Sequence, residues 1–318
     1  MPVYAFIFPG QGSQAVGMGR DLAAAFAPAR ELFEEVDEAL KQKLSRLMFE
    51  GPSEQLTLTE NTQPALLAHS LAVLRVLERE GRFRLADHAA VVAGHSLGEY
   101  SALAGASAFD PMQAATLLRQ RGQAMQQAVP PGMGAMAALI GVEMELVGEI
   151  CAEAAEGPEG KQVVEIANDN GGGQVVISGH REAVDRAISA AKLKGVRRAM
   201  LLGVSAPFHC ALMAPAADVM AKALESAPPA PPLVPVVANV SAAKATDPGE
   251  IVRLLVRQVT ATVRWRECVQ TMLGLGVDSF LELGAGKVLS GLVRRIAPDA
   301  AAIALGTPAD IEQFLRTV

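Results

Sequence analysis

The segment that most constrains the fold is Gly94-His95-Ser96-Leu97-Gly98, because it stands between a strand pattern and a helix pattern. The continuous apolar run Ala89–Ala93 precedes it, and a helical pattern begins at Leu97 and continues to Ala104. A strand, a tight turn and a helix in this order are typical of an α/β architecture with a parallel sheet. The apolar run Val3–Phe8, which ends at a Pro-Gly pair, predicts another buried strand of that sheet.

The middle of the chain predicts a different order of elements, β-α-β-β-α-β, which is the order of a ferredoxin-like unit. Chain breakers precede it at Pro130-Pro131-Gly132 and follow it at Ser205-Ala206-Pro207. We therefore expect residues 130–204 to form a small domain inserted into a large α/β domain, which consists of residues 1–129 and 205–318. The six predicted elements are Met133–Gly141, Glu143–Glu156, Val163–Ala167, Gln174–Ser178, Glu182–Leu193 and Arg198–Val204.

Composition excludes several classes of protein. The chain has 318 residues, a formal net charge of −6 and a hydrophobic content of 50%. That content supplies a sizeable core. Apart from phenylalanine, the aromatic residues are Trp265, Tyr4 and Tyr100. A mildly acidic chain with so few aromatic side chains lacks the basic stripe and the stacking platform of a nucleic-acid binder.

The cysteines and the N-terminus indicate the compartment. Cys151, Cys210 and Cys268 are odd in number and include no CxxC pair, so neither a zinc clamp nor a redox dithiol is expected. A reducing environment is the simplest interpretation. The apolar residues before Pro9-Gly10 have no basic leader and are too few for a membrane span. We expect a cytoplasmic protein with no membrane partner.

Ser96 is the strongest candidate for a catalytic side chain. In a nucleophile elbow the serine occupies a strained turn, and the flanking glycines are needed where neighbouring backbone comes too close for a side chain. The following helix would direct N–H groups at an oxyanion formed beside the serine. The pentapeptide also occurs by chance, in which case Gly94 and Gly98 only make a tight turn. The strand–turn–helix setting favours a nucleophile.

A serine nucleophile needs a base, and the chain has five histidines. His69 lies within a leucine-rich helix pattern, His88 precedes a strand, His95 adjoins the serine, and His180 lies in the small domain. His209 lies where the chain returns to the large domain, and a cleft is expected between domains. His209 is therefore the best candidate by elimination.

Two further features have both a functional and a plain structural interpretation. The loop from Pro9 to Gln14 contains glycines that allow a ligand to approach the backbone, and the N–H of Gln11 could complete an oxyanion hole. Equally, the loop could be a turn without function. Arg121 could bind a carboxylate through two parallel hydrogen bonds, or it could be an ordinary solvated arginine.

Together these motifs resemble the malonyl-CoA:acyl carrier protein transacylase family of fatty acid synthesis. The resemblance extends over essentially the whole chain in order, which makes it far more specific than any one motif. It implies an α/β-hydrolase-like core with an inserted ferredoxin-like domain. The segments that carry it are Pro9–Gln14, Gly94–Glu99, Arg121 with its neighbours, Ala206–His209 and Gly284–Leu289.

The resemblance also implies a role for each matching residue. Ser96 attacks the malonyl thioester and His209 serves as the base. The main-chain carbonyl of Gln258 orients His209, backbone N–H groups of Gln11 and Leu97 bind the oxyanion, and Arg121 binds the free malonyl carboxylate. The acceptor is the phosphopantetheine thiol of acyl carrier protein, and no metal or redox cofactor is implied.

Other positions bear on specificity and docking. Phe208 could narrow the acyl pocket against a methylmalonyl group, or it could be a core phenylalanine. The family usually has Gly-Pro-Gly-Lys where this chain has Gly284-Ala285-Gly286-Lys287, and we expect this difference to leave the chemistry unchanged. The positive charges that could steer an acidic carrier, or could be ordinary surface charge, lie on one predicted helix and are Lys287, Arg294 and Arg295.

Three alternatives stay open from the sequence. A serine hydrolase or thioesterase would use water in place of the carrier thiol. A non-catalytic module would bind acyl-CoA or the carrier without forming a covalent intermediate. A malonyl transferase could also serve another carrier, as in a malonate decarboxylase complex or a polyketide synthase. We expect a monomer.

Overall fold

The computed structural model describes residues 2–158 and 160–318 and contains two separate sheets with helices packed around them. The strands, in chain order, are β1 (Tyr4–Phe8), β2 (Ala89–Gly94), β3 (Gly134–Ile140), β4 (Glu156–Gly157), β5 (Gly160–Lys161), β6 (Val164–Asp169), β7 (Gln174–His180), β8 (Arg198–Leu201), β9 (Val236–Val237), β10 (Lys244–Ala245), β11 (Ser279–Leu283) and β12 (Ala301–Leu305).

The helices range from single turns to α5, which spans 21 residues. They are α1 (Arg20–Ala25), α2 (Ala27–Leu40), α3 (Leu44–Glu50), α4 (Ser53–Thr57), α5 (Thr59–Arg79), α6 (Leu85–His88), α7 (Gly98–Gly105), α8 (Pro111–Gln127), α9 (Met144–Ala155), α10 (Arg181–Leu193), α11 (Ala214–Ser226), α12 (Pro248–Gln258), α13 (Trp265–Gly274), α14 (Val288–Ile296) and α15 (Pro308–Leu315).

The main sheet has the strand order β10-β9-β2-β1-β11-β12 and is parallel except for the β9–β10 pair. Every residue of the central strand β1 is buried, as its continuous apolar sequence predicts for a parallel strand covered on both faces. Phe6 and Phe8 pack on the side of α2, α5, α7 and α8. Ala5 and Ile7 pack on the opposite side, against α13 and α14. The predicted parallel α/β architecture is confirmed.

The second sheet is antiparallel, with the strand order β6-β7-β3-β8, and α9 and α10 cover it. Its elements follow the chain order β3-α9-β6-β7-α10-β8, with the short β4–β5 hairpin between α9 and β6. The hairpin has no strand pattern of its own because it consists of two residues on each side.

The end of β6 joins the second sheet to the main body of the chain. Asn168 forms a parallel bridge with Val263, whose N–H donates to the carbonyl of Ala167 at 2.8 Å. Beside this bridge, Asp169 forms an ion pair with Arg266 at 2.8 Å. The second sheet is therefore joined by backbone hydrogen bonds to the connection between α12 and α13.

Across residues 2–158 and 160–318, no helix combines the length and the apolar character needed to cross a membrane.

Candidate active site

The turn between β2 and α7 places Ser96 where the sequence predicts a nucleophile. Ser96 has φ 53°, in the left-handed region that non-glycine residues rarely adopt. A Cβ on Gly94 would lie 1.9 Å from the carbonyl carbon of Gly98, and one on Gly98 would lie 2.2 Å from the carbonyl oxygen of Phe8. Both glycines of GxSxG are therefore required by the close approach of backbone.

The side chain of Asn239 stabilises this turn through two hydrogen bonds. Its Oδ1 accepts a hydrogen bond from the Ser96 N–H at 2.8 Å, and its Nδ2 donates to the Gly94 carbonyl at 2.7 Å. The sequence pattern of the segment 236–240 predicts a strand, but β9 ends at Val237, so that part of the prediction is wrong. The chain turns after Val237 because Asn239 bonds to the elbow instead of to a neighbouring strand.

His209 lies next to Ser96, although 113 residues separate them in the sequence. The Ser96 Oγ is 2.7 Å from the His209 Nε2, and the His209 Nδ1–H donates to the main-chain carbonyl of Gln258 at 2.8 Å. Donation from Nδ1 leaves Nε2 of a neutral imidazole free to accept the serine proton. No carboxylate contacts this imidazole in the described part of the chain.

Burial lowers the pKa of His209 to about 3, and the positive charge of Arg121 adds to this effect. The hydrogen bond to the Gln258 carbonyl acts in the opposite direction. A histidine with such a pKa is neutral near pH 7, which is the protonation state of a base.

The other histidines make contacts elsewhere. The Nε2–H of His69 donates to the Gly306 carbonyl, and that of His95 donates to Asn170 Oδ1, both at 2.9 Å. The His180 Nδ1 accepts from the Val163 N–H, and the His88 ring stacks on Phe83. The elimination that selected His209 therefore agrees with the geometry.

Arg121 is buried, with 1% of its surface exposed, and is not a solvated arginine. Its Nη1 donates to Gln63 Oε1 at 3.0 Å, and its Nη2 donates to Gln258 Oε1 at 2.9 Å and to Ser96 Oγ at 3.2 Å. Its Nε is buried with no hydrogen-bond partner among the described residues. A fixed guanidinium with an unused donor beside the serine is suited to binding an anion.

The side chain of Gln258 connects these groups. Besides accepting from Arg121, it donates through Nε2 to the Ser96 carbonyl at 3.0 Å and to Glu99 Oε2 at 2.9 Å. Glu99 Oε2 also accepts from the Asn239 N–H at 2.9 Å. The sequence pattern does not indicate that Glu99, Asn239 and Gln63 belong to the site. Each of them joins it through hydrogen-bond partners that are distant in the chain.

A cavity of about 320 Å³ opens onto these residues. Its polar lining includes Gln11, Ser96, Arg121 and His209, and Phe208 belongs to an apolar part that also contains residues of the second sheet. Within the described ranges, the backbone N–H groups of Gln11 and Leu97 donate to no other group of the chain. The other apolar residues that line the cavity are Leu97, Met125, Met136, Leu202 and Val204.

The three charges considered for docking are exposed. Lys287 directly precedes α14, next to Gly286, where an added Cβ would lie 3.6 Å from the Cβ of Ser13 in the loop from Pro9 to Gln14. Arg294 and Arg295 lie in the last turn of α14, where Arg294 donates to the Ala302 carbonyl at 2.8 Å. In the described part of the chain, no group of three or more His, Cys, Asp or Glu side chains is arranged to hold a metal ion.

Comparison with known proteins gives full-length matches. The acyl transferase domain family matches residues 5–303. The chain is 48% identical over 316 residues to the malonyl CoA-acyl carrier protein transacylase of Escherichia coli O157:H7, covering 99% of this chain and 100% of that protein.

Solved structures agree with these matches. An acyl-carrier-protein-S-malonyltransferase from Bartonella henselae superposes with a TM-score of 0.95 at 54% identity, covering 99% of each chain. A malonyl-transacylase in complex with a type II PKS acyl-carrier protein superposes with a TM-score of 0.94 at 44% identity, covering 99% of this chain and 100% of that one. The chain therefore belongs to the malonyl CoA-acyl carrier protein transacylases, within the acyl transferase domain family.

Proposed function

We propose that this enzyme transfers a malonyl group from malonyl-CoA to the phosphopantetheine thiol of acyl carrier protein through a malonyl-serine intermediate, and thereby supplies fatty acid synthesis. One observation carries the proposal: Ser96 Oγ lies 2.7 Å from His209 Nε2 and 3.2 Å from Arg121 Nη2, at a single cavity. The hydroxyl of the nucleophile thus lies within hydrogen-bond distance of both a neutral base and a fixed cation. Such a site suits an acyl group that carries its own carboxylate.

The first half-reaction uses Ser96 and His209. His209 Nε2 takes the Oγ proton as the oxygen attacks the thioester carbonyl, and the imidazolium then gives that proton to the departing CoA sulfur. One C–O bond forms, one C–S bond breaks, and the products are malonyl-serine and the CoA thiol. The Gln258 carbonyl keeps the imidazole in the required tautomer.

The oxyanion of the tetrahedral intermediate is bound by the backbone N–H groups of Gln11 and Leu97. Both residues line the cavity, and Leu97 directly precedes α7, whose N-terminal end favours negative charge. Donors fixed in position before the reaction stabilise the developing charge without rearranging.

Arg121 selects an acyl group with a free carboxylate. Its unpaired Nε and its Nη2 form a fork for the two carboxylate oxygens, and this requires Nη2 to leave Ser96 Oγ. An acetyl group supplies no such partner and leaves the buried guanidinium unsatisfied, so acetyl-CoA is a poor substrate.

Phe208 sets the width of the acyl pocket. It is buried and lines the cavity one residue before His209. Replacing it with a smaller side chain, Phe208→Ser, should raise the rate of methylmalonyl loading relative to malonyl loading. An unchanged ratio would mean that the ring only packs in the core.

The second half-reaction is the reverse chemistry with a different thiol. His209 takes the proton of the phosphopantetheine thiol, the sulfur attacks malonyl-serine, and Ser96 regains its proton. Water in place of this thiol would make the enzyme a hydrolase, and a carrier from a malonate decarboxylase or a polyketide synthase would change only the acceptor.

Intact-protein mass spectrometry after brief mixing with malonyl-CoA tests the proposal. We expect a malonyl-sized increase that requires Ser96, is absent with acetyl-CoA, and disappears on addition of phosphopantetheinylated carrier protein. Ser96→Ala is the control. Steady release of free malonate without an adduct would indicate hydrolysis, and neither adduct nor turnover would indicate a binding module.

The domain arrangement is part of the same proposal. Residues 1–129 and 205–318 form an α/β-hydrolase-like catalytic domain, and residues 130–204 form an inserted ferredoxin-like domain, as the order β3-α9-β6-β7-α10-β8 supports. We propose that the enzyme acts as a monomer, which light scattering tests. Its three buried free cysteines suit a reducing cytoplasm. Nucleic acid and membranes play no part in the reaction.

A further inference from the structure

Glu99 is a buried carboxylate directly behind the candidate nucleophile. It is 2% exposed and lies in the first turn of α7. Its hydrogen bonds come from two neutral donors, the Asn239 N–H and the Gln258 side-chain amide, both at 2.9 Å. No cationic side chain lies within 4 Å of it in the part of the chain that the structure describes. A buried carboxylate without a direct cationic partner is close to losing its charge.

Arg121 is the charge that faces Glu99. One amide separates them, since Gln258 Oε1 accepts from Arg121 and Gln258 Nε2 donates to Glu99. The other ionisable groups facing the carboxylate are uncharged near pH 7: burial raises the pKa of Tyr100, on α7, and that of Cys268, on α13. His209 is neutral as well. Before substrate binds, ionised Glu99 and Arg121 therefore balance one another's charge.

A malonyl carboxylate at Arg121 changes this balance. It brings a second negative charge next to one buried positive charge, and an excess charge among buried groups is unfavourable. We propose that Glu99 takes up a proton from solvent when the malonyl carboxylate pairs with Arg121, so that malonylation of Ser96 is coupled to proton uptake. This inference rests on the proposed function.

The direction of each effect supports this coupling. Burial raises the pKa of Glu99 to about 7, against the lowering effects of its two hydrogen bonds and of Arg121. A substrate carboxylate that neutralises Arg121 removes one of the lowering effects, so the pKa rises further. The acyl exchange itself consumes no proton, because the serine proton ends on the CoA sulfur. Any uptake therefore reports a group of the enzyme.

The exchange equilibrium between malonyl-CoA and the enzyme measures the uptake. The fraction of malonyl-enzyme is measured by intact mass at fixed ratios of malonyl-CoA to CoA between pH 6 and 7.5, below the ionisation of the CoA thiol. With a free-enzyme pKa of about 7, the exchange constant should fall about fourfold over this range as pH rises. An indicator dye in weak buffer should record about three quarters of a proton per malonyl group at pH 7.5 and about a tenth at pH 6.

Glu99→Gln keeps an acceptor for both hydrogen bonds and should make the exchange constant independent of pH. Glu282→Gln is the matched control, because Glu282 is also a buried carboxylate of raised pKa but bonds to the backbone at the start of α14. The exchange constant of Glu282→Gln should depend on pH as that of the wild type does.

The same dependence of the exchange constant on pH in the wild type and in Glu99→Gln would overturn the inference. If that variant does not fold, the wild-type dye signal decides, since no uptake at pH 7.5 contradicts the coupling. Failure to form malonyl-serine at all would instead contradict the proposed function, and the two failures are therefore distinguishable.

Discussion

At the residue scale, Gln258 connects the three groups to which we assign the chemistry. Its main-chain carbonyl accepts a hydrogen bond from His209, its Oε1 accepts from Arg121, and its Nε2 donates to the Ser96 carbonyl. The carbonyl is neutral, so the imidazolium of the proposed mechanism would gain less electrostatic stabilisation than a carboxylate would give. Arg121 lowers the basicity of His209 further.

This arrangement predicts a pH profile. A histidine base is active above its pKa, and His209 has a pKa of about 3. The first-order rate of malonyl-serine formation at saturating malonyl-CoA should therefore stay within about twofold between pH 5.5 and 7.5. Rapid-quench mass spectrometry gives this rate. A tenfold fall for each pH unit below 6.5 would mean that the base titrates like an ordinary histidine.

Arg121→Ala should reverse the acyl preference. Loss of hydrogen bonds to a buried charged group should lower kcat/KM for malonyl-CoA about 10- to 100-fold, and acetyl loading should rise because no buried guanidinium is left unpaired. Arg119→Ala is the control, since Arg119 lies on the same helix but bonds to Gln42. Malonyl loading as fast as in the parent, without gain of acetyl loading, would contradict the carboxylate role.

The candidate residues that the sequence indicates are those whose chemistry is visible locally. Ser96 has a motif, and His209 remains after the other histidines are assigned to ordinary surroundings. Glu99 and Asn239 have no such signal, because an acid in a first helical turn and an asparagine before a turn are common. Their roles arise from contacts that span about 140 residues of sequence.

At the element scale, the strand–turn–helix unit tolerates no side chain at its glycines. Gly94→Ala would place a Cβ 1.9 Å from backbone atoms of Gly98, so we expect a loss of several kcal/mol or failure to fold. Gly148→Ala is the control: it lies exposed in α9 with no atom near its virtual Cβ, and it should stabilise the protein by about 0.5–1 kcal/mol. Chemical denaturation measures both. Equal stabilities would contradict the packing argument.

Elements with strong patterns are predictable from the sequence, and short ones are not. The runs that became β1 and β2 are continuous, apolar and mostly buried, whereas β12 is short, alanine-rich and half exposed, so its sequence alone does not distinguish it from a loop. The end of β9 could not be predicted either, because the bonds of Asn239 to the elbow determine it.

At the scale of the whole molecule, both sheets contribute to one cavity. Met136 of β3 and Asn168 of β6 line it together with Ser96 and Arg121. The order of the elements from β3 to β8 is predictable because each long element has its own periodicity. The bridge between Asn168 and Val263 cannot be predicted, because nothing in the sequence around either residue indicates that it pairs with the other.

Carrier docking is a property of the molecular surface. If the charges around α14 steer an acidic carrier, reversing Lys287, Arg294 and Arg295 to Glu should slow transfer to the carrier, weaken its salt dependence, and leave malonyl-serine formation unchanged. Reversal of Lys41 and Lys43, which follow α2 on the other side of the main sheet, is the control. An unchanged salt dependence in the α14 variant would remove these residues from the docking surface.

The burial of the three cysteines has a chemical consequence for a protein that handles thioesters. Any accessible thiolate on its surface would compete with the carrier for the acyl group. Burial raises the pKa of Cys151 to about 12 and that of Cys210, the neighbour of His209, to about 11. The Cys210 Sγ–H donates instead to the Pro207 carbonyl. We therefore expect no acylation of the enzyme on sulfur, and a thiol-directed reagent should label the phosphopantetheine arm of a bound carrier selectively.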